Sequence, residues 1–345
     1  KNIPRNLDLA FHFFNLAANQ KCYEACFYLG HFYWDQNNET KAIYYFSEAS
    51  KNGHGPSSTA LGILYNSSFS IPKDLNQSFY YYSLALKQGD VQSYSELGDL
   101  YYNKNFKNRD LNKAIKYHEI GASYGNVNSL SFLGELYFYG NKVPQNIDKA
   151  IKYFSLAAEK NFKPAECMLG LIYYKKKYGK KDIKKALDYL IDSANRNYSG
   201  SQYILAKIYE KGIVIEKDFE KAIYYYEQAA KQQFKPAYYK LALLYHRLKK
   251  MKEALHYYCE LSSLNYSLAK NNLGVIYKNG EGVTKNIAKA LMYFEEAIKM
   301  NNTNFVAKYN LAHLYFYGDD GIDVDVDKSI SLLVETSDIF DGSLK

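Results

Sequence analysis

Apolar positions along this chain recur in two alternating registers, both with the period of a helix. In the first, a small residue, a leucine and a tyrosine follow at steps of four, and glycine or alanine stands directly after the leucine. The leucines are Leu29, Leu61, Leu97, Leu133, Leu169, Leu205, Leu241, Leu273 and Leu311, and the tyrosines run in step from Tyr33 to Tyr315. Steps of four put all three residues on one helical face. The second register opens on Lys-Ala and carries an aromatic pair three residues on. Lys149-Ala150 with Tyr153-Phe154 is one copy; Lys221-Ala222 with Tyr225-Tyr226 and Lys289-Ala290 with Tyr293-Phe294 are others. Asp74, Asp110, Asp182 and Asp218 stand just upstream of it, where a short acceptor side chain caps a helix. Pro164 and Pro236 fit the first turn of the helix that follows.

The steps between leucines are 32, 36, 36, 36, 36, 36, 32 and 38 residues. A fixed period in this range marks a stacked array of helix pairs, whose usual product is an extended binding surface. The pattern predicts an all-α protein, a right-handed α-solenoid of about nine helix-turn-helix repeats, with residues 1–345 as one continuous domain. Leu7–Asn19 reads as a second helix without its first, and Asp327–Phe340 as a second helix without a successor. The chain therefore reads as a fragment cut at both ends. The loop inside each pair holds a branched residue seven before the alanine position, as at Ile3, Ile71, Val143, Ile215 and Val283. It shortens near Asp35–Glu39 and Leu248–Lys252. Glycine in a helix interior costs about 1 kcal/mol against alanine. Its recurrence after the leucine implies a neighbouring helix too close for a side chain. Leucine at Gly134 or Gly170 is then expected to cost more than leucine at Gly140, which falls in a loop.

The Leu-Gly-x-x-Tyr signature, the Gly/Val loop, the Lys-Ala-x-x-Tyr-Phe start and the Ala-Ala end resemble the Sel-one-like repeat family, a relative of the tetratricopeptide repeat with a longer inner loop. The resemblance covers nearly the whole chain, although Gly-x-Gly-Val is complete only at Gly280–Val283. It implies a scaffold that binds proteins or peptides, with the first helices lining a concave side. The face opposite the Leu/Tyr core carries the positions two before and five after each leucine. The first includes Phe27, Tyr203, Tyr239 and Tyr309; the second includes Trp34, Tyr102, Phe138, Tyr174 and Phe316. These nine aromatics are the expected partner-binding ladder, because rigid aromatics dominate interaction hot spots.

A finer similarity joins Phe14–Asn19 and Asn38-Glu39-Thr40 to the lumenal adaptors of Hrd-type endoplasmic-reticulum ubiquitin ligases. It implies a substrate-recruiting subunit in endoplasmic-reticulum-associated degradation, partnered by a membrane-embedded ligase complex. The alternatives are a cytosolic or bacterial-type signalling scaffold, or a regulatory activator subunit of an enzyme complex.

Composition adjusts this picture only in places. The 38 tyrosines against one tryptophan are unusual, and a tyrosine can bury its ring while its hydroxyl reaches water or a partner. A net charge of +8 over 345 residues does not point to nucleic acid. No apolar run approaches the ~18 residues of a membrane span, and no signal peptide is visible. Six Asn-x-Ser/Thr sequons stand at Asn38, Asn66, Asn76, Asn197, Asn265 and Asn301. They arise by chance in an asparagine-rich chain, or they mark a glycoprotein of the endoplasmic-reticulum lumen rather than the cytoplasm. Cys22, Cys26, Cys167 and Cys259 do not follow the period, and Cys22 with Cys26 lacks the further ligands of a zinc site. The acids 319, 320, 323, 325 and 327 invite a calcium loop, but Lys328 and Val334 stand where its glycine and glutamate belong. The lysine run at 175–185 reads as a solvated loop or a contact for an acidic partner. The seven histidines form no metal motif, and no nucleophile elbow or phosphate loop is present. No catalytic residue, metal or cofactor is expected, and an enzyme is not.

Overall fold

The second-register helices start where their caps stand. Asp110 Oδ1 accepts from the Lys113 N–H, Asp182 from Lys185 and Asp218 from Lys221, each about one turn into the helix. The same residues close the loop behind them. The N–H of Asp110 donates to the carbonyl of Tyr101 at 3.0 Å, that of Asp182 to Tyr173 at 2.9 Å, and that of Lys250, in a short loop, to Tyr245 at 3.0 Å. Helix start and loop closure are thus one local device, whatever the loop length. The turn to the next pair passes through a left-handed residue: Gly53, Gly89, Gly125, Asn161, Asn197, Gln233 and Asn265 all have positive φ. Glycine and asparagine dominate there because other side chains disfavour that conformation.

The computed structural model describes residues 6–67, 71–319 and 321–342, with side chains to residue 335. Ile3 and Asp320 lie outside the described residues. The helices are α1 (Leu7–Asn19), then α2 (Tyr23–Asp35) with α3 (Glu39–Lys51), α4 (Gly55–Ser67) with α5 (Leu75–Lys87), α6 (Ser93–Tyr102) with α7 (Leu111–Ser123), and α8 (Val127–Tyr139) with α9 (Ile147–Ala158). They continue as α10 (Lys163–Tyr174) with α11 (Ile183–Asn195), α12 (Ser199–Lys211) with α13 (Phe219–Lys231), and α14 (Lys235–Arg247) with α15 (Met251–Ser263). The last pairs are α16 (Ser267–Asn279) with α17 (Ile287–Met300), and α18 (Phe305–Tyr317) with α19 (Val326–Gly342). Among the described residues there are nine pairs and no strand beyond one isolated bridge, Asp319 to Ile322. The fold is that of an α-solenoid repeat. The chain divides into two compact units, Lys1–Leu169 and Gly170–Lys345, with the division inside α10.

Within each unit the same core recurs. All nine key leucines are buried. The missing side chain after the leucine makes room for a ring of the second helix. A Cβ at Gly30 would lie 2.6 Å from the Phe46 ring, one at Gly134 2.6 Å from Phe154, and one at Gly274 2.5 Å from Phe294. What approaches in these repeats is therefore an aromatic side chain; at Gly170 it is Leu190, at 2.5 Å, with the Ala186 carbonyl at 3.2 Å. Gly140 is no neutral loop position: it ends α8 at φ 68°, and a Cβ there would meet Gln145 at 2.7 Å.

The tyrosine excess has a structural cause. Each first-helix tyrosine from Tyr33 to Tyr277 stacks on a tyrosine of its second helix. Tyr137 lies on Tyr153 at 6.0 Å and 3°, Tyr209 on Tyr225 at 5.9 Å and 8°, and Tyr101 on Tyr117 at 5.4 Å and 14°. The lysine of Lys-Ala lies over the same first-helix ring: Lys149 is 4.7 Å from the Tyr137 centroid, Lys221 5.3 Å from Tyr209 and Lys289 5.0 Å from Tyr277. Cation–π attraction of about 0.5–1 kcal/mol per exposed contact accounts for that lysine. Gln77 and Glu253 replace it in two repeats.

Candidate interaction face

The nine expected ladder residues part into three groups. Phe27, Tyr203 and Tyr239 pack between repeats: Phe27 lies against Phe46 and His54, Tyr203 against Phe234, and Tyr239 against Tyr266. Trp34 and Tyr174 are half-buried, Trp34 with its edge to Phe46. Tyr102, Tyr309 and Phe316 are open, at 36%, 58% and 47% exposure. Phe138 is a correction: it is 4% exposed and presents no surface to a partner. The column position is the same as that of Tyr102, and the loop after α8 is tied to the helix end by Gln145 Nε2, which donates to the Phe138 carbonyl at 2.7 Å. Other members of the column are spent on ion pairs. Glu210 accepts from Tyr226 and Arg247, each at 2.7 Å, and His246 meets Glu281 at 2.5 Å.

Two open rings of the first unit, Tyr102 and Tyr139, stand between α6 and α8. There Asp99, Tyr102, Phe132, Glu135, Leu136 and Tyr139, with Asn141 and Lys142, line a cavity of about 330 Å³. Tyr102 meets the Phe132 ring edge-on at 5.2 Å, and His118 of α7 lies flat beneath Phe132 at 3.8 Å. A second cavity, about 560 Å³, lies beside His31, Trp34, Asp35 and Leu64. Burial lowers the His31 pKa there, opposed by Asp35. Phe132, Tyr139, Asp99 and Glu135 were missed by the aromatic columns. The available signal was the position two after the leucine, which is acidic in two successive repeats, at Asp99 and Glu135.

Charge accumulates beside this cavity. Burial, then the neighbouring Asp99 and Asp90, push the Glu96 carboxyl up to about 7. Burial also raises Glu135. Glu96 holds its proton in the folded chain and releases it in the unfolded chain between the ordinary 4.5 and about 7. Stability contributed by this group is therefore full at low pH and is lost as pH rises through that window. Glu96→Gln is expected to raise the melting temperature at pH 8, by up to about 3 kcal/mol of stability, and to leave it nearly unchanged near pH 4.5. Equal shifts at both pH values in thermal melts contradict the assignment.

The remaining expectations have local explanations. Asn38 caps α3 through the Lys41 N–H, and Asn301 Oδ1 accepts from Thr303. Asn197 and Asn265 occupy left-handed turn positions, while Asn66 and Asn76 lie near helix ends. Each sequon asparagine at a cap or turn thus has a backbone reason to be there. Asp325 caps α19 through the Lys328 N–H, and Asp319 pairs with Lys285 at 2.6 Å. Cys22 is exposed and Cys26 buried, and no group of metal-binding side chains exists among the described residues. The lysine run includes a short 3₁₀ turn, Lys176–Tyr178, closed by Gly179 at φ 72°. Among the described residues no helix is long and apolar enough to cross a membrane.

The family model of the Sel1 repeat matches residues 1–22, 24–54, 57–90, 91–126, 127–162, 163–198, 199–234, 267–302 and 306–334. It passes over 235–266, which holds the short-looped pair α14 and α15. No curated protein matches the chain. Among solved structures, the chain is similar to a protective antigen of uropathogenic Escherichia coli displaying an SLR fold. They are 26% identical over 97% of this chain and 73% of that one, with a TM-score of 0.69. A Sel1 repeat protein from Oxalobacter formigenes is 21% identical over 95% and 86%, with a TM-score of 0.49. A signal-transduction ATPase of Pyrococcus horikoshii with a tetratricopeptide repeat sensor is 18% identical over 93% and 54%, with a TM-score of 0.58, a likeness of fold alone.

Proposed function

The chain belongs to the Sel1 repeat family, and from that premise we propose that it is a non-catalytic adaptor holding a partner polypeptide on its first helices. One observation carries this reading. Between α6 and α8, open aromatic rings and two carboxylates surround a cavity on a face that the repeat's own Leu/Tyr core leaves unused. Recognition of protein by repeat arrays relies on such side-by-side first-helix surfaces.

The likeness to the Escherichia coli antigen supports a bacterial-type scaffold as the finer reading. The subunit of an endoplasmic-reticulum degradation complex, and its ligase partner, receive no support from the comparisons. Expression in a eukaryotic secretory host separates the two. Glycans on Asn38, Asn265 or Asn301, seen by mass spectrometry of intact protein, would favour the lumenal reading.

Peptide display against the purified chain tests the adaptor reading itself. The selected peptides are expected to lose affinity at least about thirtyfold to a Tyr102→Ala/Tyr139→Ala variant with an unchanged helical signal. Lys176→Gln/Lys177→Gln should weaken binding less, and mainly at low salt. Failure to select any peptide rejects the adaptor reading, and the reverse ranking of the two variants removes this face as the binding site.

A further inference from the structure

The cavity between α6 and α8 is lined by acids from two successive repeats. Its walls are the rings of Tyr102, Phe132 and Tyr139 and the carboxylates of Asp99 and Glu135, with Lys142 at the same cavity, so the two acids outnumber the one lysine. The rings are held in place: Tyr102 abuts the edge of Phe132, and the far face of Phe132 is covered by His118. Asp99 and Glu135 occupy the same position in successive repeats, two residues after Leu97 and Leu133. Among the described residues neither forms an ion pair with a lysine or arginine; the ionisable contact of Asp99 is His118, at 3.5 Å.

His118 supplies an independent observation. It stands where the other second helices place Phe46, Tyr82, Phe154, Leu190, Tyr226, Tyr258 or Phe294, and it is fully buried. Its Nδ1 lies 3.4 Å from Ser129 Oγ, and its Nε2 has no hydrogen-bond partner while facing Asp99 Oδ1. A buried polar atom without a partner is costly, and the position holds phenylalanine in three other repeats, tyrosine in three and leucine in one, the Tyr82 and Tyr258 hydroxyls also lacking a partner. The imidazole makes sense as a positioning group that holds the Asp99 carboxylate over the cavity.

We propose that this cavity binds the cationic side chain of a partner polypeptide, an arginine or a lysine, between the aromatic rings and the Asp99 and Glu135 carboxylates. The inference rests on the adaptor reading for the source of the side chain, though not for the chemistry of the pocket. Aromatic faces attract organic cations, and a guanidinium can stack on a ring while its N–H groups reach carboxylates. A hard metal ion is a poorer match, since calcium requires six to eight oxygen ligands and the rings supply none. Burial raises the Glu135 carboxyl, and burial followed by the charges of Asp99 and Asp90 raises that of Glu96.

The test needs no partner. N-acetyl-arginine amide and N-acetyl-lysine amide are titrated into the purified chain by NMR, with the citrulline amide as the neutral isostere of the first. Binding in the millimolar range, with no measurable binding of citrulline, is expected. Glu135→Gln and Tyr139→Ala should each weaken it about tenfold, and both side chains are exposed, so the fold survives their loss. His118→Phe restores the ring found in other repeats and is expected to weaken binding while retaining the helical signal. Equal binding of citrulline, an unchanged affinity in Glu135→Gln, or binding of calcium in place of the amides would overturn the proposal. Because the probes are free amino-acid derivatives, their failure rejects the pocket alone, whereas failure of the peptide selection rejects the adaptor.

Discussion

Phe154→Ala is expected to cost about 3–5 kcal/mol, among the largest effects of a single truncation in the first unit. The ring is completely buried, and it fills the space that Gly134 leaves open. Removing it deletes the burial of a large apolar side chain and leaves a cavity bounded by helix backbone. That backbone cannot collapse without moving α8 against α9. In a repeat array stability is close to a sum of units and their interfaces, so the loss should be felt first in this pair and its neighbours. Urea melts followed by far-UV circular dichroism give the total. Hydrogen exchange should show α8 and α9 opening before the rest of the unit. A melt within experimental error of the parent would mean that the ring is not what holds the pair together.

The second large effect is the converse substitution. Gly134→Leu drives a side chain into the Phe154 ring, where even a Cβ would stand 2.6 Å away. Overpacking of this kind costs about 3 kcal/mol. A suitable control is Gly53, whose Cβ would meet nothing within 4 Å, although its φ of 87° makes any side chain there strained. Gly53→Leu should lose about 1–2 kcal/mol from backbone conformation alone. Gly134→Ala is expected to be milder than Gly134→Leu, since Ala206 and Ala242 occupy the same register. The decisive measurement is the double variant. Gly134→Leu with Phe154→Ala exchanges volume across one contact, so it should recover on the order of 2 kcal/mol of the summed single losses. Strict additivity would show that the two residues do not share the space assigned to them.

Much of the repeat unit was legible in the chain because its determinants are local. A cap such as Asp218 acts on residues within one turn, the leucine and tyrosine steps of four belong to one helix, and the period of 36 repeats both. Leu7–Asn19 as a lone second helix and the short loops near 35–39 and 248–252 follow from the same reasoning, and the helices α1, α3 and α15 begin where it places them. The identity of the group facing each glycine was not legible. That contact joins residues about twenty apart across two helices, and only their packing shows that it is a ring at most of them and Leu190 at Gly170. The tyrosine stacks under lysine were likewise hidden, since composition records the excess without the pairing.

The binding face was the least legible part, for a physical reason. Whether an aromatic on a first helix is open depends on the next helix and the loop after its own. Tyr102 and Phe138 hold the same column position, yet one is open and the other is buried. Phe27, Tyr203 and Tyr239 are claimed by neighbouring repeats for the same reason. The sequence by itself determined the helix pairs, their caps and their period, because each depends on chemistry within one or two turns. Only the tertiary structure decided which side chains remain free for a partner, and that it brings Asp99, Glu135 and three rings around one cavity. Those residues come from different helices, and nothing in the spacing of either helix states how closely the two will lie.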